Sequence, residues 1–259
     1  WYWRRYQPSA PYRLFALSNL ASLLALLGFP LLMEPWIGNR EIQLLWSGLF
    51  VVFAMLCAAL GWSTVRHAQR TFTSERLGAE HQPGAGHLFI ERPHHALPDW
   101  LFWIGLSALG SAMLLGVSSH LTQNISSAPL LWVVPLALYL VTFIISFDHP
   151  RWYVRPLFLP LAAVLVPLMA WLSDSLELAM VTPVYAAGLF VVCMVCHGEL
   201  ARLKPHPSRL TIFYLSISVG GALGSLLMAV IAPFIFDGYY ELYAALIAAA
   251  VIGLALTIG

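Results

Sequence analysis

Residues 181–209 read VTPVYAAGLFVVCMVCHGELARLKPHPSR, and this stretch decides the fold. Up to Leu200 it is apolar apart from a few small or polar residues, one imidazole (His197) and one carboxylate (Glu199); beyond it come Arg202, Lys204 and Arg209. About 20 mainly apolar residues are needed to cross roughly 30 Å of hydrocarbon, so 181–200 is a membrane span with a basic exit. Working outward, segments of the same kind occupy 13–33, 42–63, 100–119, 128–147, 156–173, 210–236 and 241–259. Twelve of the 13 Lys and Arg residues fall in alternate connections between these segments. Arg4, Arg5 and Arg13 precede the first; Arg66, Arg70, Arg76 and Arg92 separate the second from the third; Arg151 and Arg155 follow the fourth. Only Arg40 lies on the other side. Cytoplasmic loops retain Lys and Arg, so the pattern orients an all-α, polytopic transmembrane bundle of about eight spans, one domain, with both ends in the cytoplasm.

Composition agrees. The chain is 60% hydrophobic and 10% charged, against roughly 25% charged in soluble domains, so the lipid bilayer is the expected partner for most of its surface. A net charge of +1, already accounted for by topology, gives no reason to expect nucleic acid. The chain starts at Trp1 without a cleavable leader, and the last segment stops at Gly259 with no polar exit, so it reads as part of a longer polypeptide. Residues 64–99, punctuated by Pro83, Gly84, Gly86, Pro93 and Pro98, are expected to form a flexible cytoplasmic loop. Its histidines (His67, His81, His87, His94, His95) match no zinc spacing, and no metal is expected there. Pro156, Pro160 and Pro167 make 156–173 the weakest span, kept because the charge alternation requires a crossing. Trp100, Trp103, Trp152 and Tyr153 stand at segment ends, as interfacial anchors do.

Four constellations are candidates for chemistry. Cys193-Met194-Val195-Cys196-His197 spells the covalent haem attachment motif. It sits near the cytoplasmic end of an apolar helix, the side opposite to where haem is attached, so no cofactor is expected and both cysteines are read as small hydrophobes. His197 and Glu199 near the inner end of a span form either a cation or proton site, with Glu199 the anion and His197 its titratable neighbour, or an interfacial pair between Glu199 and Arg202 or Arg209. The uncharged knot 118–127, SSHLTQNISS, either lines a substrate mouth or hydrogen-bonds a tight turn, with His120, Thr122 and Asn124 as candidate solute contacts. In the seventh span Gly220 with Gly224, and Gly221 with Ser225, are small-xxx-small pairs that let helix backbones approach. No phosphate-binding loop, Ser-His-Asp set or HExxH helix occurs, so no catalytic residue is assigned.

Four runs carry a resemblance: Pro11 through Ser18-Asn19-Leu20-Ala21-Ser22 to Glu34-Pro35; His120-Leu121-Thr122 with Ala128-Pro129 through Tyr139-Leu140; Cys196-His197-Gly198-Glu199-Leu200-Ala201-Arg202; and Leu210-Thr211 through Phe213-Tyr214-Leu215 to Gly224. In order and content they resemble the membrane region of bacterial spermidine-synthase-like integral membrane proteins, the fused major-facilitator/spermidine synthase family. The resemblance implies a multi-pass protein of the bacterial inner membrane and adds Tyr214 to the candidate solute contacts. It implies a transporter-like or binding module for a small, polyamine-like solute. Alternatively the chain is an accessory subunit docked against other membrane subunits, or the anchor of a cytoplasmic aminopropyltransferase domain. Gln123-Asn124 stand where the family carries an acidic residue.

Overall fold

A computed structural model describes residues 10–77, 99–125, 129–173, 175, 177–205, 209–235 and 240–258. All regular structure among them is helical. The helices are α1 (Ala10–Gly28), α2 (Asn39–Leu77), α3 (Asp99–Ile125), α4 (Pro129–Asp148), α5 (Arg155–Trp171), α6 (Leu178–Arg202), α7 (Leu210–Leu226) and α8 (Tyr240–Ile258). Six stretches are long and apolar enough to cross a membrane: Leu14–Met33, Asn39–Thr64, Asp99–Thr122, Ala179–Arg202, Leu210–Ile235 and Tyr240–Thr257. Two shorter apolar stretches, Trp132–Asp148 and Arg155–Trp171, lie in α4 and α5. The 17 residues of α5 span about 25 Å, slightly less than the hydrocarbon core. Each of the eight expected segments is thus helical.

The prolines are absorbed in different ways. Pro156 sits in the first turn of α5, where a missing donor costs nothing, and the helix continues through Pro160 and Pro167. After α1 the chain widens into a π-helical turn, Phe29–Met33, at Pro30; another, Leu227–Ile231, follows α7 and leads into Ala232–Ile235, which contains Pro233. A proline has no N–H to give to the fourth residue back, and a register opened by one residue accommodates that loss.

Two expectations about connections are corrected. Helix α2 runs on to Leu77, so 64–77 is helical where a loop was expected. No Gly or Pro occurs between Gly61 and Gly78, leaving nothing to stop the helix, and Arg66 caps the face of Trp62 one turn back, 5.0 Å from the ring. The rest of the expected loop, with His81, His87, His94 and His95, lies outside the described residues. Likewise α3 continues to Ile125, so the first part of the polar knot is helix rather than interhelical turn. The Thr122 hydroxyl donates back to the carbonyls of Ser118 and Ser119 at 2.9 and 3.0 Å, which lets the helix carry it without a stray donor.

Contacts divide the chain into two compact units, one of Trp1–Leu27 with His94–Gly259 and one of Gly28–Pro93. In the second, the apolar part of α2 buries none of its residues. In the first, α3 and α6 are the centre, each with 56% of its apolar window buried. α3 packs parallel to α7: Gly220 lies against Ile104 and Gly224 against Ala108, so closely that a Cβ on either would overlap a backbone carbonyl oxygen. α3 and α6 are antiparallel, with Gly110 beside Cys196 and His120 beside Tyr185. α5 and α6 are also antiparallel, Arg155 meeting Glu199 and Met169 meeting Tyr185. α4 is parallel to α6, Tyr139 meeting His197 and Phe147 meeting Lys204. One core packs Met113, Val117, Met169, Tyr185, Leu189 and Leu246; a second packs Trp103, Leu106, Phe143, Phe147, Leu200 and Phe213. As a consequence Arg155, Arg202 and Lys204 lie at one end of this unit, called the basic end below.

Candidate functional site

Two polar clusters, centred two residues apart on α6, are built in opposite ways. The first is centred on Glu199, a carboxylate only 2% exposed. Arg155, first residue of α5, grips it with two bonds, Nε to Oε1 at 2.7 Å and Nη2 to Oε2 at 2.9 Å. Tyr153 donates its hydroxyl to Oε1 at 2.8 Å, and Arg202 adds a longer contact at 3.4 Å. A buried carboxylate is costly unless its lone pairs are filled, and here three donors fill them. The neighbouring residue makes this possible: a Cβ on Gly198 would overlap the Tyr153 ring, so only glycine lets Tyr153 lie flat across α6 and reach its neighbour's carboxylate. Burial, followed by the charge and hydrogen bond of Glu199, holds the Tyr153 phenol well above its ordinary pKa.

This arrangement revises three expectations. Glu199 pairs with Arg202, one of the two partners foreseen, but its principal partner is Arg155, 44 positions away. Tyr153 is 7% exposed and Trp103 4% exposed, so both are core residues and not interfacial anchors: Tyr153 follows its hydrogen bond inward, and Trp103 packs edge-on against Phe213 at 5.1 Å. Trp152, by contrast, is 59% exposed and Trp100 47%.

The second cluster surrounds His197, fully buried between α3, α4 and α6. Its Nδ1 lies 2.9 Å from the Thr142 hydroxyl. That hydroxyl spends its proton on the Tyr139 carbonyl at 2.7 Å, so it accepts from the imidazole, and Nδ1 carries the hydrogen. The tautomer so fixed leaves Nε2 as a lone-pair acceptor, and Nε2 has no hydrogen-bond partner among the described residues. The rings of Phe143 and Tyr139 flank the imidazole at 3.9 and 4.8 Å. Facing Nε2 is Gly110, where an added Cβ would stand 3.3 Å from it. Ser111 on α3 faces the Tyr139 hydroxyl at 3.5 Å, longer than a good O–H···O bond. Cys193 and Cys196 are buried on the same helix, the Cys193 thiol 4.0 Å from the Gly110 carbonyl.

The remaining candidates are dispersed. His120 stacks on Tyr185 at 4.6 Å, about 18 Å along α6 from His197 at 1.5 Å per residue, with Thr122 two residues further along α3. Asn124 is on α3, its side chain outside the described residues. Tyr214 packs against Phe15 at 4.7 Å and connects to His197 indirectly, through rings such as Phe15 and Phe143. Gly221 faces the Ser111 hydroxyl, 3.3 Å from where its Cβ would stand; Ser225 is half-buried. Lys204, past the end of α6, lies with its ammonium 5.2 Å from the Phe147 ring centre, and burial lowers its pKa. Between α3, α7 and α8 a groove of about 330 Å³ is lined by Gly105, Ala108, Ala112, Ala245, Ala248 and other apolar residues, with Glu241 at its edge.

Sequence reasoning had no access to Tyr139, Thr142, Phe143, Tyr153 or Arg155 as site residues. The one available signal was Gly198 between His197 and Glu199, a glycine that relieves α6 of a side chain beside its two ionisable groups. No family model, curated protein or solved structure matches this chain.

Proposed function

We propose that this chain is an eight-crossing, transporter-like module of a bacterial inner membrane, both ends cytoplasmic, whose interior around His197 binds a small amine of the polyamine type. One observation carries the reading: a buried imidazole whose tautomer is fixed, whose Nε2 is a bare acceptor, and whose walls are aromatic. A protonated amine is the complementary ligand, since it donates to Nε2 and presents its charge to ring faces. Uncompensated polar groups inside a membrane bundle mark solute or ion pathways by default. Glu199 does not serve as the counter-anion in this reading, because Arg155, Tyr153 and Arg202 already occupy it. The resemblance of residues 196–202 and 210–224 to the spermidine-synthase-like membrane family agrees with an amine solute.

Equilibrium binding of radiolabelled spermidine and putrescine to the protein in lipid nanodiscs tests it. His197→Leu, which has no acceptor, should weaken binding at least about tenfold, the loss of one hydrogen bond to a charged donor, without lowering the melting temperature by more than a few degrees. Equal affinity of parent and variant for both amines would refute the assignment. The crossing number is tested separately: cysteines placed at Trp152 and Ser175 should react with a membrane-impermeant maleimide from opposite faces, and labelling from one face excludes a crossing by α5.

A second reading, an accessory subunit of a larger membrane complex, is favoured by the apolar part of α2, none of whose residues is buried. Co-purification at fixed stoichiometry with other subunits would support it. Its third alternative, an anchor for an aminopropyltransferase domain, rests on the family resemblance alone.

A further inference from the structure

The basic end holds more positive charge than its own carboxylates neutralise. The two connections there, α4 to α5 and α6 to α7, carry Arg151, Arg155, Arg202, Lys204 and Arg209 against Asp148 and Glu199. With Asp99, the first residue of α3, at the same end, five cations face three anions and leave two positive charges. The excess is sharpest at Glu199, where the Arg155 and Arg202 guanidinium groups share a single oxygen, Oε1. One buried carboxylate cannot neutralise both, and it fixes them side by side. Arg155 makes the short bidentate bonds. Arg202 contributes one N–H at 3.4 Å and has a side chain 50% exposed, so most of its five donors have no partner among the described residues.

The surface beneath these arginines says which anion fits. On α5 and the residue before it, Val154, Leu157, Leu161 and Val164 are exposed by 44, 54, 40 and 65%. Their spacing of three, four and three residues sets them on one face of the helix. That face runs from Arg155 toward the far end of the bundle, and the exposed Trp152 marks its start as an interfacial anchor would. A free anion has no use for such a strip, whereas an acyl chain lies along it.

We infer that Arg202 and Arg155, held together on Glu199 above the apolar strip of α5, form a binding site for the phosphate of an anionic phospholipid headgroup. Arg202 donates to the phosphate, Arg151 adds field at the same level, and the acyl chain follows Leu157, Leu161 and Val164. Basic pockets at the ends of membrane helices capture acidic headgroups in this way. The site is distinct from the His197 interior and does not depend on whether an amine binds there.

Native mass spectrometry of the full chain in mild detergent, titrated with phosphatidylglycerol or with phosphatidylcholine of the same chains, tests the inference. The parent should hold phosphatidylglycerol in preference to phosphatidylcholine. Arg202→Gln should lower phosphatidylglycerol occupancy roughly fivefold, as removal of one interfacial cation does, and Arg202→Lys should recover most of it. Phosphatidylcholine occupancy should be the same in all three. Arg151→Gln, a change on an exposed side chain that touches neither Glu199 nor its partners, should give a smaller loss in the same direction, and it reports even where Arg202→Gln fails to fold. Inorganic phosphate should not displace the lipid. Unchanged phosphatidylglycerol occupancy in Arg202→Gln and Arg151→Gln would overturn the site, as would equal retention of the two lipids. Displacement of the lipid by inorganic phosphate would show a free-anion site instead.

Discussion

Replacing Glu199 by Gln separates a structural lock from a solute-binding anion. Gln keeps the shape of the side chain and its carbonyl oxygen still accepts from Tyr153 and from Arg155 Nε. Its amide, however, turns N–H groups toward Arg155 Nη2, so the 2.9 Å bond to Oε2 becomes a meeting of donors. Breaking a fully buried ion pair costs about 3–5 kcal/mol. Here the Arg155 and Arg202 side chains are 31% and 50% exposed, and water relieves part of that cost, leaving about 2–3 kcal/mol. At roughly 2–4 °C per kcal/mol for a domain of this size, the melting temperature should fall by about 5–10 °C. Arg155→Gln should cost more, because it leaves the carboxylate buried with one weak cationic contact. The double variant should cost less than the sum of the two, since it removes the anion together with the cation that served it. Thermal unfolding in mild detergent, followed by intrinsic tryptophan fluorescence, measures all three. Additive losses, or an Arg155→Gln variant as stable as the parent, would refute the lock.

Two further outcomes are expected. Gly224→Leu should prevent α7 from seating on α3, because even its Cβ would overlap the Ala108 carbonyl; a loss of at least about 3 kcal/mol follows from overpacking against backbone that cannot shift, visible as aggregation in size-exclusion chromatography, while Gly253→Ala, with nothing within 4 Å of the added carbon, should elute and melt like the parent. Tyr153 should give the protein an alkaline limb: its folded pKa is raised above the ordinary 10.0, so the stabilisation is complete below about pH 10 and is lost as the pH climbs beyond. Tyr153→Phe should flatten that limb and lower stability at neutral pH by about 1.5–3 kcal/mol, the value of a hydrogen bond to a charged acceptor, which melting curves recorded from pH 7 upward would reveal.

The helices were legible because lipid imposes a simple rule: segments such as 42–63 and 181–200 satisfy their backbone internally and need only length and apolarity. The alternation of basic residues added something firmer, since Arg155 and Arg202, placed on one side by that pattern, meet at the same carboxylate. Helix ends were less legible. Residues 64–77 and 120–125 are polar, and polarity alone suggests a loop, although neither stretch contains a Gly or Pro to break a helix. The site was legible in one partner only. His197 and Glu199 announce themselves as ionisable groups in an apolar run, but their partners Thr142 and Arg155 are 55 and 44 positions away, and such pairings depend on which helices pack together. Trp103 and Tyr153 misled for a related reason: amphipathic rings at a segment end suit the interface, yet each has a better place inside, against Phe213 in one case and on Glu199 in the other.

The contrast between the two clusters is itself an argument about where a ligand belongs. Around Glu199 both oxygens are met by donors, from Arg155, Tyr153 and Arg202, and glycine at 198 clears the path for one of them; an incoming amine would have to displace an arginine. Around His197 the polar groups are only partly committed. Nδ1 is fixed by Thr142, but Nε2 has no hydrogen-bond partner among the described residues, and a nearby hydroxyl pair, Ser111 with Tyr139, sits at 3.5 Å, beyond the 2.5–3.0 Å of a firm O–H···O bond. A buried acceptor left in this state costs about 1–3 kcal/mol, which Leu or Met at position 197 would avoid. A core optimised for packing alone would close those bonds or dispense with them. An acceptor, an adjustable hydroxyl pair and two aromatic walls at one level of the bundle are what a small donor-bearing solute requires, so the interior around His197, and not the carboxylate two residues on, is where binding should first be sought.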